Sequence, residues 1–511
     1  MRKIALWTLF LIMGSVSHAE DINIRFDGTT AKVEQKLKDS VQVTVNGANV
    51  NIESQYTSHQ LTLRLTGKSD DGQLVLKTAG KATVKLDGLT LTCREGAPLW
   101  LKNKKKVKIV AVKGTENTLT ITACEDTVNH KAATIWAKDK VLFSGKGTLN
   151  IIATGDGCRG IKAKKDITIE ELTLNVTTSG NHLGEKPFSF GAFPDFNGEM
   201  PDFSNFPSFG NDSTGRGRFP GPDFNGEMPD FSNFPPFGND STGRGRFPGP
   251  NFNGEMPDFN NFPPFGNDSI GQGGFGGKHK YFAATKGIAS KGKIAMNSGN
   301  VTVRTHTAGA EGIEGKNGVV FNGGTVDVLT TDDAINANAT IEFNGAHVTA
   351  RSTGNDAVDS NPKGGFFMPF GNTNEQDTEP AIIIRGGTVH AWSQVGSPEE
   401  GLDCDFAPLV IEGGTIFSVG GGMGEMPSVP SDADAKQLTV LLIGLNIVKE
   451  EPVCIYNGKG KLICSVTIPF SLRHSASLVS SPAFRIGSTY TVKTKEYERT
   501  FTLDKAFTTV R

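Results

Sequence analysis

Four tetrapeptides in this chain place acidic side chains around a small and an apolar residue. They are Glu311-Gly312-Ile313-Glu314, Asp333-Ala334-Ile335-Asn336, Asp356-Ala357-Val358-Asp359 and Glu400-Gly401-Leu402-Asp403. Asp332 and Glu399 add charge beside two of them. If the four segments stack in register, their carboxylates form two columns whose successive members lie about 4.8 Å apart, one strand spacing. Like charges that close repel by roughly 1 kcal/mol per pair in water, and by more at lower dielectric. Such columns call for a counter-ion. Calcium fits, because it takes about six to eight hard oxygen ligands in flexible geometry. No His or Cys accompanies every segment, which disfavours zinc. The competing reading is that these acids are turn caps, since Asp and Asn also favour corners. No single tetrapeptide is specific; the recurrence carries the calcium reading.

The elements that would position these acids form a longer repeat. Segments starting at Leu99, Ile135, Ile161, Ile288, Ile313, Ile335, Val358 and Leu402 share one pattern. The clear neighbouring starts differ by 26, 25, 22 and 23 residues. Each complete unit holds three short alternating runs separated by Gly or Asn. Several strands per unit at this period predict a solenoid. No unit has a helical 3.6-residue pattern. The expected class is all-β, a parallel β-helix with Ile, Val and Leu stacked inside.

Equivalent positions then also stack outside. The residue after each start runs Trp100, Trp136, Lys162, Ala289, Glu314, Asn336, Asp359, Asp403. Three residues after each start stand Lys102, Lys138, Lys164, Lys291 and Lys316, then Asn338, Asn361 and Asp405. The lysine column reads as a solvated edge that blocks further strand pairing, and the two Asn as a corner ladder. Trp100 and Trp136 share a face, either as flat platforms for sugar rings or packed beneath an insertion. Arg159 and Lys162 lie between the aromatic and acidic ends and complete the candidate carbohydrate-binding set.

The rest of the chain sorts by composition. Residues 1–19 read as a secretory signal peptide cleaved near Ala19: Arg2 and Lys3, an apolar run, then a small-x-small site. That run is too short to span a bilayer, and the mature protein is expected in the periplasm or outside the cell. Residues 20–182 read as the N-terminal part of the β-helix. Residues 183–279 are a Phe/Pro/Gly-rich insertion with three 28-residue repeats, from Asp195, Asp223 and Asn251. Their composition predicts disorder; the other reading is an adhesive arm. Residues 280–436 read as the C-terminal part of the β-helix with the acidic columns, and 437–511 as an antiparallel β module capping its open end. A net charge of −2 favours no nucleic-acid partner. The six Cys lack CxxC spacing and fit either buried thiols or disulfides, a Cys454–Cys464 cross-strand bridge among them.

Residues 86–120, "DDAINA" at 332–337 and "SLVSSPAFRIGSTYTV" at 477–492 together resemble a bacterial family of secreted carbohydrate-binding β-helix proteins, distantly similar to pectate lyases. The resemblance spans most of the mature chain except the insertion. It implies a right-handed parallel β-helix, bound calcium, and binding to plant polysaccharides such as cellulose and polygalacturonate without established cleavage. The aspartates of its "DDGI"-type motif carry over to Asp332 and Asp333, then to Asp356 and Glu400. Here Ala334 replaces the usual Gly. Lys286 precedes Gly287 where another acid is expected, which weighs against calcium at that coil. The leading expectation is a secreted, calcium-dependent carbohydrate-binding protein without enzymatic activity. One alternative is a polysaccharide lyase with Arg159, Arg351 or Arg385 as base; none of them recurs with the acidic column. The other is a surface adhesion or structural protein that binds through the insertion.

Overall fold

The computed structural model describes residues 21–36, 41–124, 132–183, 284–361, 379, 381–404, 407–422 and 427–511. The expected signal peptide, and the insertion beyond Leu183, lie outside the described residues. Among those described, every regular element is a β-strand.

Three parallel ladders organise the coils. The first runs from Asn49–Ser54 through Gln73–Thr78, Leu99–Leu101, Ala133–Ala137, Arg159–Ala163, Lys286–Ser290, Glu311–Gly315, Ile335–Ala337 and Val358–Ser360 to Leu402–Asp403. The repeat starts Leu99, Ile135, Ile161, Ile288, Ile313, Ile335, Val358 and Leu402 stand directly in register along it. The second ladder steps from Val107–Ala111 to Leu409–Ile411, and the third from Glu116–Ile121 to Thr415–Gly420. The long strand Ala82–Cys93 belongs to both: Ala82 to Leu86 pairs with the second ladder and Thr90 to Cys93 with the third.

Alternation sends every second side chain inward. The inward ones are the stacked Ile, Val, Leu and Phe of one continuous core. Phe321 and Phe343 of adjacent coils stack there with ring centroids 5.3 Å apart.

The stacking continues across the insertion. Arg159–Ala163 pairs with Lys286–Ser290, and Thr173–Thr178 with Asn300–Thr305. A clasp closes the gap. The Thr285 N–H donates to His182 Nδ1 at 3.0 Å, and the buried Thr285 hydroxyl lies 3.0 Å from the carbonyl oxygens of both Gly180 and Asn181.

Antiparallel strands terminate the parallel stack. At the start, Ile22–Asp27 and Thr30–Gln35 form a hairpin, and so do Val41–Asn46 and Asn49–Ser54. At the end, Leu472–Ser480 runs antiparallel to Thr415–Gly420 and also to Thr439–Ile447. Trp392, Phe417 and Val419 of the last coils pack into the core of this C-terminal region with Val440, Leu442 and Tyr490. Exposed strand edges invite further pairing, and these elements occupy them.

Outside the core a polar ladder follows the second set of strands. Asn297 donates to Glu170 Oε1 at 3.0 Å, Asn322 to Asn297 at 2.8 Å, Asn344 to Asn322 at 2.8 Å, and Arg385 to Asn344 at 2.9 Å. The corner ladder expected between Asn338 and Asn361 is not the one that forms. Asn361 instead donates to its own coil's Asp359 at 3.0 Å. All six cysteines are free. Cys454 faces Ser465, and Cys464 faces Ile455, so the two thiols fall out of register for a bridge.

The first ladder departs from alternation in its acidic coils. The small residue and the apolar residue after it both turn into the core: Ala334 with Ile335, Ala357 with Val358. A Cβ on Gly312 would lie 2.4 Å from the Ala334 carbonyl oxygen and 2.5 Å from Val328 Cγ1. Overfilling a packed interior costs about 1–3 kcal/mol. Gly312→Ala therefore lowers stability by that order in denaturant titration, although Ala stands at the same position in the next two coils; an unchanged unfolding midpoint would contradict the close approach.

Candidate functional site

The double inward turn is what assembles the site. With two consecutive residues facing the core, the residue before the pair and the residue after it both face outward. Asp333 and Asn336 thereby meet, the Asn336 amide donating to Asp333 Oδ2 at 2.8 Å and to Asp359 Oδ2 of the next coil at 2.9 Å. The coil register places Asn336 beside Asp359, and Asp359 beside Asp403. The acid–small–apolar–acid signature is thus a strand entry with two consecutive inward residues, which brings polar side chains from two columns into one notch.

The notches differ in how their charge is met. In the first, Lys286 Nζ lies 2.9 Å from both Glu311 oxygens and 2.8 Å from Glu314 Oε1, and Lys316 Nζ lies 2.7 Å from the same Glu314 oxygen. Burial opposes the Glu314 charge, but Lys286 and Lys316 outweigh it and hold the carboxyl down at about 2. Burial also opposes the Lys286 charge, and Glu311 and Glu314 outweigh it, raising its pKa above the ordinary lysine value.

The following notches contain amides and backbone donors instead. Asp332 accepts from the Asn355 amide at 2.8 Å, and Asp356 accepts from the Glu400 N–H at 2.5 Å. Asp333 is 6 % exposed, and its Oδ1 has no hydrogen-bond partner. Burial, then the charges of Asp332, Asp356 and Glu311, push the Asp333 carboxyl well above the usual carboxylate range. Burial, then Asp403, push Asp356 up likewise, and burial with Asp403 and Asp332 raises Glu399. Further along, Glu400 Oε2 accepts from the Ser428 N–H at 2.7 Å, and the Ser428 hydroxyl reaches Asp403 at 3.4 Å.

As the side chains stand, no group of three or more His, Cys, Asp or Glu among the described residues converges tightly enough to hold a metal unaided. The chemistry of the donor set nevertheless suits a hard cation: carboxylates only, one of them buried with an unanswered oxygen. Protonation and a bound cation are the two ways to remove that charge.

The aromatic end of the same face is more enclosed than open. Trp100 and Trp136 are register neighbours. Trp136 is buried, in a small cluster with Ala97 and Ala133 against which the half-buried Trp100 packs. Lys102 Nζ sits 3.8 Å above the Trp100 ring. Lys162 follows Trp136 in the same column, and Arg159 follows Ala133. The aromatic and acidic ends thus lie on one ladder, several coils apart. The other arginines lie elsewhere. Arg385 follows the second ladder and pairs with Glu342 at 2.7 Å; Arg351 lies in the third ladder, bonds Gln394 at 2.7 Å and stacks over Phe470. The amide ladder was the feature sequence reasoning missed. Its signal was present, as Asn297, Asn322 and Asn344 each directly follow a short apolar strand of successive units.

Residues 46–186 and 274–357 match the model of a family described as carbohydrate-binding domain-containing protein. These segments include Trp100, Trp136, Asp333 and Asp356 and end before Glu400. A carbohydrate-binding domain-containing protein of Acetivibrio thermocellus is 27% identical over 162 residues, which is 30% of this chain and 54% of that protein. The chain thus spans about half the length of that curated relative. A solved polysaccharide lyase-like protein from C. thermocellum, a gadolinium derivative, aligns with 17% identity and a TM-score of 0.37 over 64% of this chain and 90% of its own.

The electrostatics set a sign for acid stability. A carboxyl whose folded pKa is raised favours folding only when protonated, so its penalty disappears as pH falls through the folded value. Without divalent cations, lowering the pH from about 7 to about 5 therefore raises the melting midpoint. Asp333→Asn combined with Asp356→Asn removes most of that rise. Glu314 acts oppositely, because its folded value is depressed: its contribution is complete above the ordinary carboxylate range and fades as pH falls toward about 2. Thermal melts in chelator from neutral pH down to about 2 test both signs; a midpoint falling steadily from neutral pH would refute the first.

Proposed function

We propose that this is an exported carbohydrate-binding protein whose coils wind as a right-handed parallel β-helix and whose acidic notches hold calcium. The ligand we favour is an acidic polysaccharide such as polygalacturonate, with cellulose as the neutral alternative. The observation that carries the proposal is the buried Asp333 oxygen without a partner, beside Asp332 and near the Asp356 charge. Leaving a buried charged group unanswered costs several kcal/mol unless a proton or a cation meets it. The family match over both the tryptophan pair and these aspartates supports carbohydrate as the ligand class.

Asp332, Asp333, Asp356 and Asp359 would hold the first ion, and Glu400 with Asp403 would extend the set. Backbone and amide oxygens would complete coordination that the carboxylates alone do not supply. Bound calcium supplies positive charge that attracts uronate carboxylates. The chain's own residues orient the polymer: the half-buried Trp100 offers its remaining ring surface, and Arg159 and Lys162 offer positive charge on the same ladder.

A binding role is favoured over cleavage. A lyase needs a base within hydrogen-bond reach of the proton it removes. Arg385 is engaged by Glu342 and Arg351 by Gln394, both on other ladders. Arg159 lies on the acidic ladder, but at its basic end, two coils before Glu311.

Thermal melts with calcium, with chelator, and with polygalacturonate added to each test the reading. A ligand at a hundredfold excess over its Kd stabilises by about 2.7 kcal/mol. Calcium is expected to raise the midpoint, and the polymer to raise it again only when calcium is present. Asp333→Asn with Asp356→Asn abolishes both shifts. A polymer shift that persists in chelator would reject calcium-dependent binding. Release of unsaturated uronides, seen by absorbance, would establish a lyase instead.

A further inference from the structure

Along the first ladder, the residue before the inward-turning pair runs Arg159, Lys286, Glu311, Asp333, Asp356, Glu400. Lys286 and Glu311 are direct register partners. The ammonium of one coil therefore lies over the carboxylate of the next, and the sign of the column reverses at that step. The residue after the pair in the Lys286 coil is Ala289, register partner of Glu314. An alanine there presents no competing charge, and the Lys286 side chain, 12 % exposed, lies in the Glu311/Glu314 notch.

Its contacts resemble those of a coordinated cation more than those of a surface ion pair. One nitrogen meets three carboxylate oxygens from two glutamates, at 2.9, 2.9 and 2.8 Å. Lys316 adds a second positive charge at Glu314, while at Glu311 burial outweighs Lys286 and leaves the carboxyl above its usual range. One coil further on, Asp333 occupies the position of Glu311, has an amide where Glu311 has an ammonium, and keeps one oxygen without a partner.

We infer that Lys286 is a built-in counter-ion: its ammonium takes the place of a divalent cation in the Glu311/Glu314 notch and ends the cation column at that coil. Glu311 and Glu314 are then not calcium ligands in the native protein, although their carboxylates suit the ion. This rests on the reading that the neighbouring notches take calcium, and it determines how many ions the ladder accepts.

The test is Lys286→Met in the full mature chain. Methionine keeps an unbranched side chain and removes the charge. Calcium stoichiometry is read by calorimetry, and stability by thermal melts in chelator and in calcium. The variant is expected to melt below wild type in chelator, to regain most of the difference in calcium, and to bind one more calcium per chain. Lys286→Arg keeps the charge and is expected to keep the wild-type stoichiometry. Should the uncompensated glutamates prevent folding in chelator, Lys286→Met is refolded in calcium: folding restored by calcium supports the inference, and a variant that stays unfolded in calcium while Lys286→Met with Glu311→Gln folds would overturn it. An unchanged stoichiometry in Lys286→Met, with a loss of stability that calcium does not restore, would overturn the inference. The parent reading fails separately. If wild type binds no calcium and Lys286→Met binds one, the role of Lys286 stands while calcium at Asp333 falls. If wild type binds ions that Asp333→Asn removes and Lys286→Met gains none, only the role of Lys286 falls.

Discussion

Parallel stacking in strict register governs this molecule. Each side chain sits about one strand spacing, roughly 4.8 Å, from its equivalent in the next coil. A residue type chosen once is therefore chosen beside its own kind. For apolar residues this is favourable without further provision, and the interior is a set of Ile, Val, Leu and Phe stacks. For charges it is a liability that grows with every coil added.

The chain meets that constraint in two ways on its outer surfaces. Amides stack because each is both donor and acceptor. The ladder from Glu170 through Asn297, Asn322 and Asn344 to Arg385 begins on a carboxylate that accepts and ends on a guanidinium that donates. Every link runs in the same direction, so the charged ends match the polarity of the chain between them. Opposite charges also stack, as where Lys286 lies over Glu311. The lysine column stacks like charges along a solvent-facing edge, whereas Asp333, Asp356 and their neighbours stack them where burial pushes the carboxyls well above their usual range. A buried stack of carboxylates that the neighbouring amides only partly answer marks this place as the candidate site.

Much of this was legible in the sequence. All eight repeat starts proved to be register neighbours, because an inward Ile, Leu or Val followed by outward polar residues is a strong local signal. The earlier coils at Asn49–Ser54 and Gln73–Thr78 were not recognised; they lack the small residue before the apolar one and have no charged column to mark them. The acidic columns were visible, but the reason for their spacing was not. Alternation would place Asp333 and Asn336 on opposite faces, and only the paired inward turn of Ala334 and Ile335 reconciles them. The two tryptophans were rightly placed on one face, but sequence could not show that Trp136 is covered. The Cys454–Cys464 pairing failed on a single residue of register, a shift that strand propensity does not encode.

The clasp between His182, Thr285 and the Gly180 carbonyl has an evolutionary consequence. It fixes the two points where the coil stack is left and rejoined, so the intervening length is not constrained by the stack. Loop-closure entropy depends only weakly on length, about 0.6 kcal/mol for each doubling. The 28-residue units beginning at Asp195 and Asp223 differ at a single position, Ser208 against Pro236. Such near-identity at the residue level is the mark of recent duplication. Repeat units can therefore be added or removed between the two anchor points without shifting the register of the coils on either side.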